Sequence, residues 1–263
     1  MSQAVIAWQQ ADLGLKNSSE VGMSDGFDVV SAINANGGAG KTSLTKVLIS
    51  AALASGQKVV AFDCDPTQNL MGLVDKAKEA GNWPSNAAAF EARTAKEIVE
   101  ALNQLTDEGF DGLVFVDTAG FGDKASLYMV NNSDFVILPI MLGSDSVGTT
   151  LETATVVTQM VDQLDEGKKA VVRVVRCNIP TLSNRRKGHS ENFDRLGQHP
   201  LCLNAYISNS PIIELWTDEG PLHSRFKREE NTVEGAKALN AKNTMKVLQE
   251  GLAVINELFE EAE

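Results

Sequence analysis

Short apolar runs alternate along the chain with longer stretches in which apolar residues recur at helical spacing. The short runs are rich in Val, Ile and Phe and largely apolar on both faces, as expected for strands of a sheet covered on both sides. They predict strands at Phe27–Ile33, Lys58–Phe62, Gly112–Val116, Phe135–Ile140 and Ala170–Arg176. The longer stretches predict helices at Ser43–Ala54, Thr94–Leu105 and Ser146–Leu164. This alternation indicates parallel crossovers, so it predicts an α/β fold: a doubly wound, mainly parallel sheet flanked by helices.

The length and charge of the chain narrow the class of protein. It has 263 residues, of which 43% are hydrophobic, and a formal net charge of −12. This length suits one large α/β domain, and we predict an N-terminal extension over residues 1–26 followed by a single domain over residues 27–263. No run approaches the roughly 20 apolar residues of a membrane-spanning helix.

The N-terminus and the cysteines indicate the compartment. No basic segment precedes the short apolar patch at Val5 and Ile6, which disfavours a secretory signal. Cys64, Cys177 and Cys202 are odd in number and lack a Cys-X-X-Cys spacing, which disfavours a disulfide framework or a zinc site. We therefore expect a cytoplasmic protein.

A glycine-rich segment follows the first predicted strand and precedes a predicted helix, which is the context of a phosphate-binding P-loop. Its backbone amides and the helix N-terminus are expected to surround phosphate oxygens. The predicted nucleotide-binding residues are Gly37, Gly38, Ala39, Gly40, Lys41, Thr42 and Ser43. Lys41 is expected to reach the β- and γ-phosphates, and the Thr42 hydroxyl to bind Mg²⁺. A nucleotide and Mg²⁺ are therefore the predicted ligands of this loop.

The crowded glycines resemble the deviant Walker A box of the ParA/MinD family of P-loop ATPases, Lys/Arg-Gly-Gly-X-Gly-Lys-Ser/Thr. The segment Asp63–Pro66 is similar to the Asp-X-Asp-Pro end of that family's second strand, and Leu113–Gly120 to its Walker B strand and following turn. The resemblance extends over about residues 27–260. It implies an ATPase that forms a homodimer when ATP is bound and acts with an adaptor or cargo protein. The cargo is a plasmid, a chromosome region, a conjugative complex or a protein organelle.

The resemblance also implies roles for acidic and amide residues at strand ends. Asp65 matches the residue that orients or deprotonates the attacking water, and Asp117 matches the residue that holds Mg²⁺ together with Thr42. Lys41, Asp65 and Asp117 are therefore the predicted catalytic residues. Asn178 matches a residue that often contacts adenine. Alternatives remain open, because Asp and Asn at strand ends are also common turn and capping residues.

Asp63 has two interpretations of equal weight, contact with Mg²⁺ through water or capping of the next helix. The turn Thr118–Gly120 is expected to sense the γ-phosphate, because glycine allows its backbone to swing towards a phosphate oxygen.

One position departs from the family. The signature lysine that precedes the glycine pair is replaced by Asn36, which carries no charge. In the family this lysine contacts the phosphates of the partner protomer. One interpretation is that another basic residue replaces it, and the candidates are Lys124, Arg185, Arg186 and Lys187, although each is also typical of solvated surface. Otherwise hydrolysis is slow, or the protein is an ATP-binding switch or scaffold. A metabolic enzyme of the same superfold is a further alternative.

A local excess of basic residues is the strongest candidate for nucleic-acid contact. Residues 166–200 contain eight Lys or Arg residues and three acidic ones. The basic side chains considered are Arg173, Arg176, Arg185, Arg186, Lys187 and Arg195, with a weaker cluster at Arg225, Lys227 and Arg228. Contacts to phosphates would give salt-sensitive, sequence-independent DNA binding and association with the nucleoid. The alternatives are a solvated basic loop and a loop that closes over the nucleotide.

The remaining features predict no further site. His189, His199 and His223 have no metal-ligand spacing and are expected on the surface, and Cys64 is expected to be packed. The stretch Val233–Phe259 predicts an amphipathic helix or helix pair. The last thirteen residues carry four acids and no base, so we expect no membrane partner.

Overall fold

The computed structural model describes residues 26–122, 124–164, 170–216, 219–229 and 235–260. The predicted extension therefore lies almost entirely outside the described residues. The strands, β1 to β7, are Phe27–Ala32, Val59–Asp63, Ala87–Glu91, Gly112–Asp117, Phe135–Ile140, Val171–Ile179 and Cys202–Ser208. The α-helices among the described residues, α1 to α8, are Lys41–Ala54, Asn69–Glu79, Ala95–Asp107, Lys124–Asn132, Ser144–Asp162, Lys187–Gly197, Leu222–Glu229 and Gly235–Glu260. Short 3-10 turns cover Leu182–Asn184 and Pro211–Leu215.

The strands form one seven-stranded sheet in the order β3-β2-β4-β1-β5-β6-β7. Every pairing between neighbours is parallel. This confirms the predicted doubly wound α/β fold. From β1 the chain moves outward to β2 and β3 on one side, returns to β4 beside β1, and then continues through β5, β6 and β7 on the other side. The strand order therefore reverses next to β1. In such sheets ligands bind outside the carboxyl ends of the strands at this reversal point.

Helices cover both faces of the sheet. On one face, α1, α2, α7 and α8 pack over a core that includes Val47, Leu48 and Leu252. On the other face, α3 and α4 pack over one side, and α5 and α6 over the side of β5 and β6. This double coverage explains why the central strands are continuously apolar, since neither of their faces meets water.

The two edge strands, β3 and β7, were not predicted. Strand β3 has the sequence Ala-Ala-Ala-Phe-Glu and is only partly buried, so it has no strong strand signal. Strand β7 mixes buried and exposed positions, and its outer edge is closed by α8. The Glu257 carboxylate accepts hydrogen bonds from the backbone amides of Asn204 and Ala205, at 2.7 Å each. Glu250 likewise accepts from the amide of Ser208 at 2.9 Å. These carboxylates occupy amides that would otherwise be open to another strand.

The C-terminal region forms one long helix in the described residues, α8, rather than a helix pair. No helix in the described part of the chain is both long enough and apolar enough to cross a membrane. The expectation that His223 lies on the surface is wrong: its residue is 5% exposed in α7. Cys64 is buried, as predicted.

Candidate functional site

The loop between β1 and α1 has an open, amide-rich surface. Gly38 and Gly40 have φ angles of +72° and +95°, values that residues with a side chain rarely adopt. A Cβ added at Gly37 or Gly38 would meet nothing within 4 Å, so there is free space above the loop. Helix α1 begins directly after it, with no side-chain cap and no acidic residue in its first turn. Uncapped amides at the positive end of a helix favour an anion.

Lys41 and Thr42 lie at the start of α1, facing the end of β4. Lys41 is only 7% exposed, and Asp117 is only 1% exposed. Neither carboxylate oxygen of Asp117 has a hydrogen-bond partner in the described residues. Burial raises the pKa of Asp117 to about 7. The Thr42 hydroxyl and the positive charge of Lys41 oppose this rise. The hydroxyl lies close to the carboxylate but does not form an ordinary hydrogen bond with it. Unpartnered carboxylate oxygens beside a hydroxyl suit a hard divalent cation such as Mg²⁺.

Asp63, at the end of β2, acts as a helix cap. One carboxylate oxygen accepts hydrogen bonds from the amides of Leu70 and Met71, at 3.0 and 2.9 Å, and the other accepts from the amide of Asp65 at 3.1 Å. Burial raises its pKa, and these amides oppose the rise. Of the two interpretations, the structure favours capping, because both oxygens are already engaged by the protein.

Asp65 lies just beyond the end of the same strand and is half-buried. One of its carboxylate oxygens accepts hydrogen bonds from the amide and the hydroxyl of Thr67, at 2.8 and 2.6 Å. This turn fixes the orientation of the carboxylate. Because β2 and β4 pair with Asp63 opposite Asp117, Asp65 lies at the same end of the sheet as Asp117 and the loop.

A cavity of about 490 Å³ adjoins the loop on the side of β6 and β7. Gly40 and Ser43 form its wall next to the loop, and Asn178 and Glu214 line it farther away. Asn178 has a φ angle of +55°, an unusual value for a residue other than glycine, and its side-chain oxygen accepts a hydrogen bond from Asn209. The amide nitrogen of Asn178 therefore remains to donate into the cavity.

Three polar residues near the loop were not found from the sequence. Asn34 is fully buried, and Lys46 is 6% exposed. Burial lowers the pKa of Lys46, and the charges of Glu214 and Asp117 oppose this. The sequence held a signal for two of them: Lys46 is a single lysine within the apolar stretch of α1, and Asn34 directly follows an apolar strand. Glu214 gave none, because it lies in an irregular segment.

The turn after β4 is tied to β1. The Thr118 hydroxyl donates to the carbonyl oxygen of Ala32 at 2.8 Å, and the Phe121 amide donates to the carbonyl oxygen of Asn34 at 3.1 Å. The turn that was predicted to sense a phosphate is therefore held by β1 at Thr118, and by the segment between β1 and the glycine-rich loop at Phe121, directly after the turn. Lys124 is exposed two residues after Gly122.

The basic segment divides into buried and exposed residues. Arg176 is 4% exposed and donates to the carbonyl oxygens of Leu203 and Asn204, so its assignment to a surface patch is wrong. Arg185 is half-buried, and its guanidinium donates to Pro180 and lies 4.0 Å from the Phe193 ring centre. Among the predicted basic residues that the structure describes here, Arg173 is half-buried, and Arg186, Lys187 and Arg195 are exposed.

The second basic cluster is largely neutralised. Arg225 is 6% exposed and forms ion pairs with Glu219 and Glu229, both at 3.2 Å. Arg228 also pairs with Glu219, at 3.8 Å. The assignment of this cluster to a nucleic-acid surface is therefore wrong for the buried Arg225, whereas Lys227 and Arg228 are exposed. No group of three or more His, Cys, Asp or Glu side chains suitable for a metal occurs in the described ranges.

Sequence comparisons identify the family of the chain. The family profile described as VirC1 protein matches residues 27–262. Protein virC1 of Rhizobium radiobacter is 27% identical over 189 residues, which cover 71% of this chain and 79% of that protein. Protein ParA of Rhizobium radiobacter is 24% identical over 219 residues, which cover 80% of this chain and 93% of that protein.

Comparison with solved structures gives the same fold. An ATP complex of a McdA variant from Cyanothece has a TM-score of 0.63 at 14% identity, covering 87% of this chain and 97% of that chain. The MinD cell division protein of Aquifex aeolicus has a TM-score of 0.61 at 15% identity, with the same coverage. These identities support the fold alone.

Proposed function

Because the chain belongs to the VirC1 family and, with it, to the ParA/MinD family of P-loop proteins, we propose that it is a partition or positioning ATPase. It binds Mg-ATP, dimerises, binds DNA without sequence preference, and positions a DNA or protein cargo together with a partner protein. It would act in the cytoplasm, on the nucleoid. The observation that supports this most directly is the uncapped start of α1, where Lys41 and Thr42 face the unpartnered carboxylate of Asp117.

Each residue of the site has a role in this proposal. Lys41 neutralises the charge of the β- and γ-phosphates, and the loop amides bind their oxygens. Thr42 and Asp117 would hold Mg²⁺, directly or through water, and the ion would neutralise charge on the phosphate oxygens. Asp65 orients the attacking water and accepts a proton from it. The water oxygen bonds to the γ-phosphorus while the bond to the bridging oxygen breaks, which releases ADP and inorganic phosphate. Asn178 donates a hydrogen bond to the adenine ring.

DNA binding is assigned to the exposed basic residues Arg186, Lys187 and Arg195. Lys187 and Arg195 lie on α6, and Arg186 directly precedes it. All three are exposed, unlike the buried Arg176. Contacts of this kind are to phosphates, so the affinity falls steeply with salt and does not depend on base sequence.

A second candidate function is an ATP-dependent switch with negligible hydrolysis. Asn36 favours it, because the position next to the glycine pair has no charge to place against the phosphates of a partner protomer. A cation supplied in trans to a P-loop can raise the rate by about 10³- to 10⁵-fold. The two functions share nucleotide binding and dimerisation and differ only in turnover.

The deciding experiment measures Mg-ATP affinity, ATP-dependent dimerisation and turnover with saturating DNA. Lys41→Ala is the matched variant, because it removes the main cation of the loop. We expect the native protein to bind ATP and the variant to bind it at least about a hundredfold more weakly, since a hydrogen-bonded charge pair is lost in a buried site. Nucleotide affinity within a few-fold of the native value would refute the phosphate site. Binding without turnover would favour the switch.

A further inference from the structure

Asn34 stands at a junction of four segments. It follows β1 by two residues, is fully buried, and uses every polar atom of its side chain. Its amide nitrogen donates to the carbonyl oxygen of Pro139 in β5 at 2.8 Å and to the hydroxyl of Thr150 in α5 at 3.0 Å. Its amide oxygen accepts from the backbone amide of Asn36 at 2.9 Å. The side chain thus joins the first residues of the phosphate loop to β5 and α5.

The backbone of Asn34 adds the fourth connection. Its carbonyl oxygen accepts the hydrogen bond of Phe121, in the turn after β4, and a Cβ added at Gly120 would lie 3.7 Å from the same oxygen. The Thr118 hydroxyl contacts the preceding part of β1 through Ala32. Any movement of the loop at Asn36 or of the turn at Phe121 therefore acts on the same buried residue.

We propose that Asn34 is a positioning residue that couples the phosphate loop to α5, so that nucleotide bound in the loop stabilises α5. The proposal rests on the proposed function, because it assumes that the loop binds ATP. Its physical basis is that a buried amide must keep its partners: if Asn36 shifts, the Asn34 side chain either rotates away from Pro139 and Thr150 or loses its bond to the loop. The loop and α5 therefore have one favoured joint arrangement.

Thr150 allows a test that leaves the loop and Asn34 unchanged. Thr150→Val keeps the shape of the side chain and removes the hydroxyl that accepts from Asn34. Thr153→Val is the matched control on the same helix: Thr153 is also buried, but its hydroxyl donates only to the carbonyl oxygen of Thr149 within α5. Thr150→Ser is the conservative variant, because it keeps the hydroxyl and removes only the methyl group. Asn34→Asp is less informative, because a buried, unpaired charge destabilises the whole fold.

The experiment measures three quantities for the full chain: the melting temperature, the dissociation constant for Mg-ATP, and amide hydrogen exchange over residues 144–162 with and without ATP. We expect Thr150→Val to lower the melting temperature more than Thr153→Val does, because it removes an acceptor of the buried Asn34 amide, so ATP affinity is compared at a temperature at which every variant is folded. Only Thr150→Val should weaken ATP binding, by about tenfold, the scale of one buried hydrogen bond, and Thr150→Ser should recover it. ATP should slow exchange in α5 of the native protein and of Thr153→Val, and not in Thr150→Val.

The outcomes separate the two proposals. If the native protein binds no ATP, the proposed function fails, and the coupling fails with it. If the native protein binds ATP while Thr150→Val and Thr153→Val bind it equally, the coupling alone is refuted. ATP binding that leaves exchange in α5 of the native protein unchanged refutes it as well.

Discussion

The guanidinium of Arg176 lies 4.4 Å from the centre of the Phe193 ring. The same group donates hydrogen bonds to the carbonyl oxygens of Leu203 and Asn204, so it joins β6 to α6 and to the edge strand β7. Burial lowers its pKa, yet the residue remains a cation stabilised by an aromatic face and by carbonyl oxygens. The basic residues of this region therefore fall into two groups: the buried Arg176 stabilises the fold, whereas Arg186 and Lys187 are exposed to solvent.

The first prediction uses this separation. Arg186→Ala with Lys187→Ala should weaken DNA binding and reduce the salt slope of log affinity by about 2, because each removed phosphate contact releases roughly one counterion fewer. Arg176→Met should instead lower the free energy of unfolding, on the order of 2 to 4 kcal/mol, by removing charged hydrogen bonds. Salt-dependent DNA binding and chemical unfolding measure the two effects. A reduced salt slope in folded Arg176→Met would contradict the structural role.

The second prediction concerns Asp65. Asp65→Ala should bind ATP, lose turnover and accumulate the ATP-bound dimer, because the residue acts on water and not on the nucleotide. Asp65→Asn is the sharper variant, since its amide oxygen can still accept from Thr67 and preserve the turn. We expect turnover to fall by at least about a hundredfold, as for removal of a general base.

Thr67→Val is the control for the turn, because it removes the hydroxyl contact and leaves the carboxylate in place. Turnover and ATP affinity are measured together. An unchanged turnover in Asp65→Asn would remove Asp65 from the mechanism, and loss of ATP itself would make it a structural or Mg²⁺-binding residue.

The third prediction concerns the missing lysine. The backbone amide of Asn36 is held by Asn34, so Asn36→Lys should leave the loop and ATP binding intact. We expect another cation to fill the role already, in which case the new lysine is neutral or harmful to DNA-stimulated hydrolysis. Arg185 is the weakest of the four candidates, because its guanidinium is engaged by Pro180 and Phe193.

Single alanine replacements at Lys124, Arg186 and Lys187 should then include one hydrolysis-dead variant that still binds ATP, while Arg185→Ala stays active. If none of these lowers turnover and Asn36→Lys raises it, no substitute exists and the slow switch is the better description.

The fourth prediction is a pH dependence of stability caused by His223. Burial, with a smaller effect of Lys227, lowers the pKa of His223 to about 4 from the usual 6.5. Above pH 6.5 the histidine is neutral in both the folded and the unfolded chain, so it does not change the free energy of unfolding with pH. Between pH 6.5 and 4 only the unfolded chain takes up the proton, so stability falls as the pH falls, by roughly 3 kcal/mol in total.

His223→Gln should remove this dependence. The measurement is the difference in unfolding free energy between the native protein and the variant across pH 4 to 8, in which the contributions of the buried carboxylates cancel. A constant difference across this range would show that His223 is not buried in its neutral form.

The fold, and the glycine-rich loop that we propose binds phosphate, have local sequence signals. A strand covered on both faces must be continuously apolar, and a loop that surrounds phosphate must have glycines where side chains would obstruct it. Phe27–Ile33 and the segment around Lys41 meet these conditions within a few consecutive residues. They predicted the parallel sheet, its central strands and the position of the site at the carboxyl end of β1.

The edge strands and the burial of polar residues depend on contacts between distant segments. Strand β3 exists because β2 offers it a free edge, and Glu257 meets Asn204 only when α8 crosses β7. The side chains of Arg176 and Asn34 look like surface groups in sequence. They are buried because carbonyl oxygens far along the chain accept their hydrogen bonds, and burial of a polar group is tolerated only when such partners are present. Local sequence therefore predicts where the chain can bind a phosphate, whereas the folded packing decides which polar residues support that site and which remain on the surface.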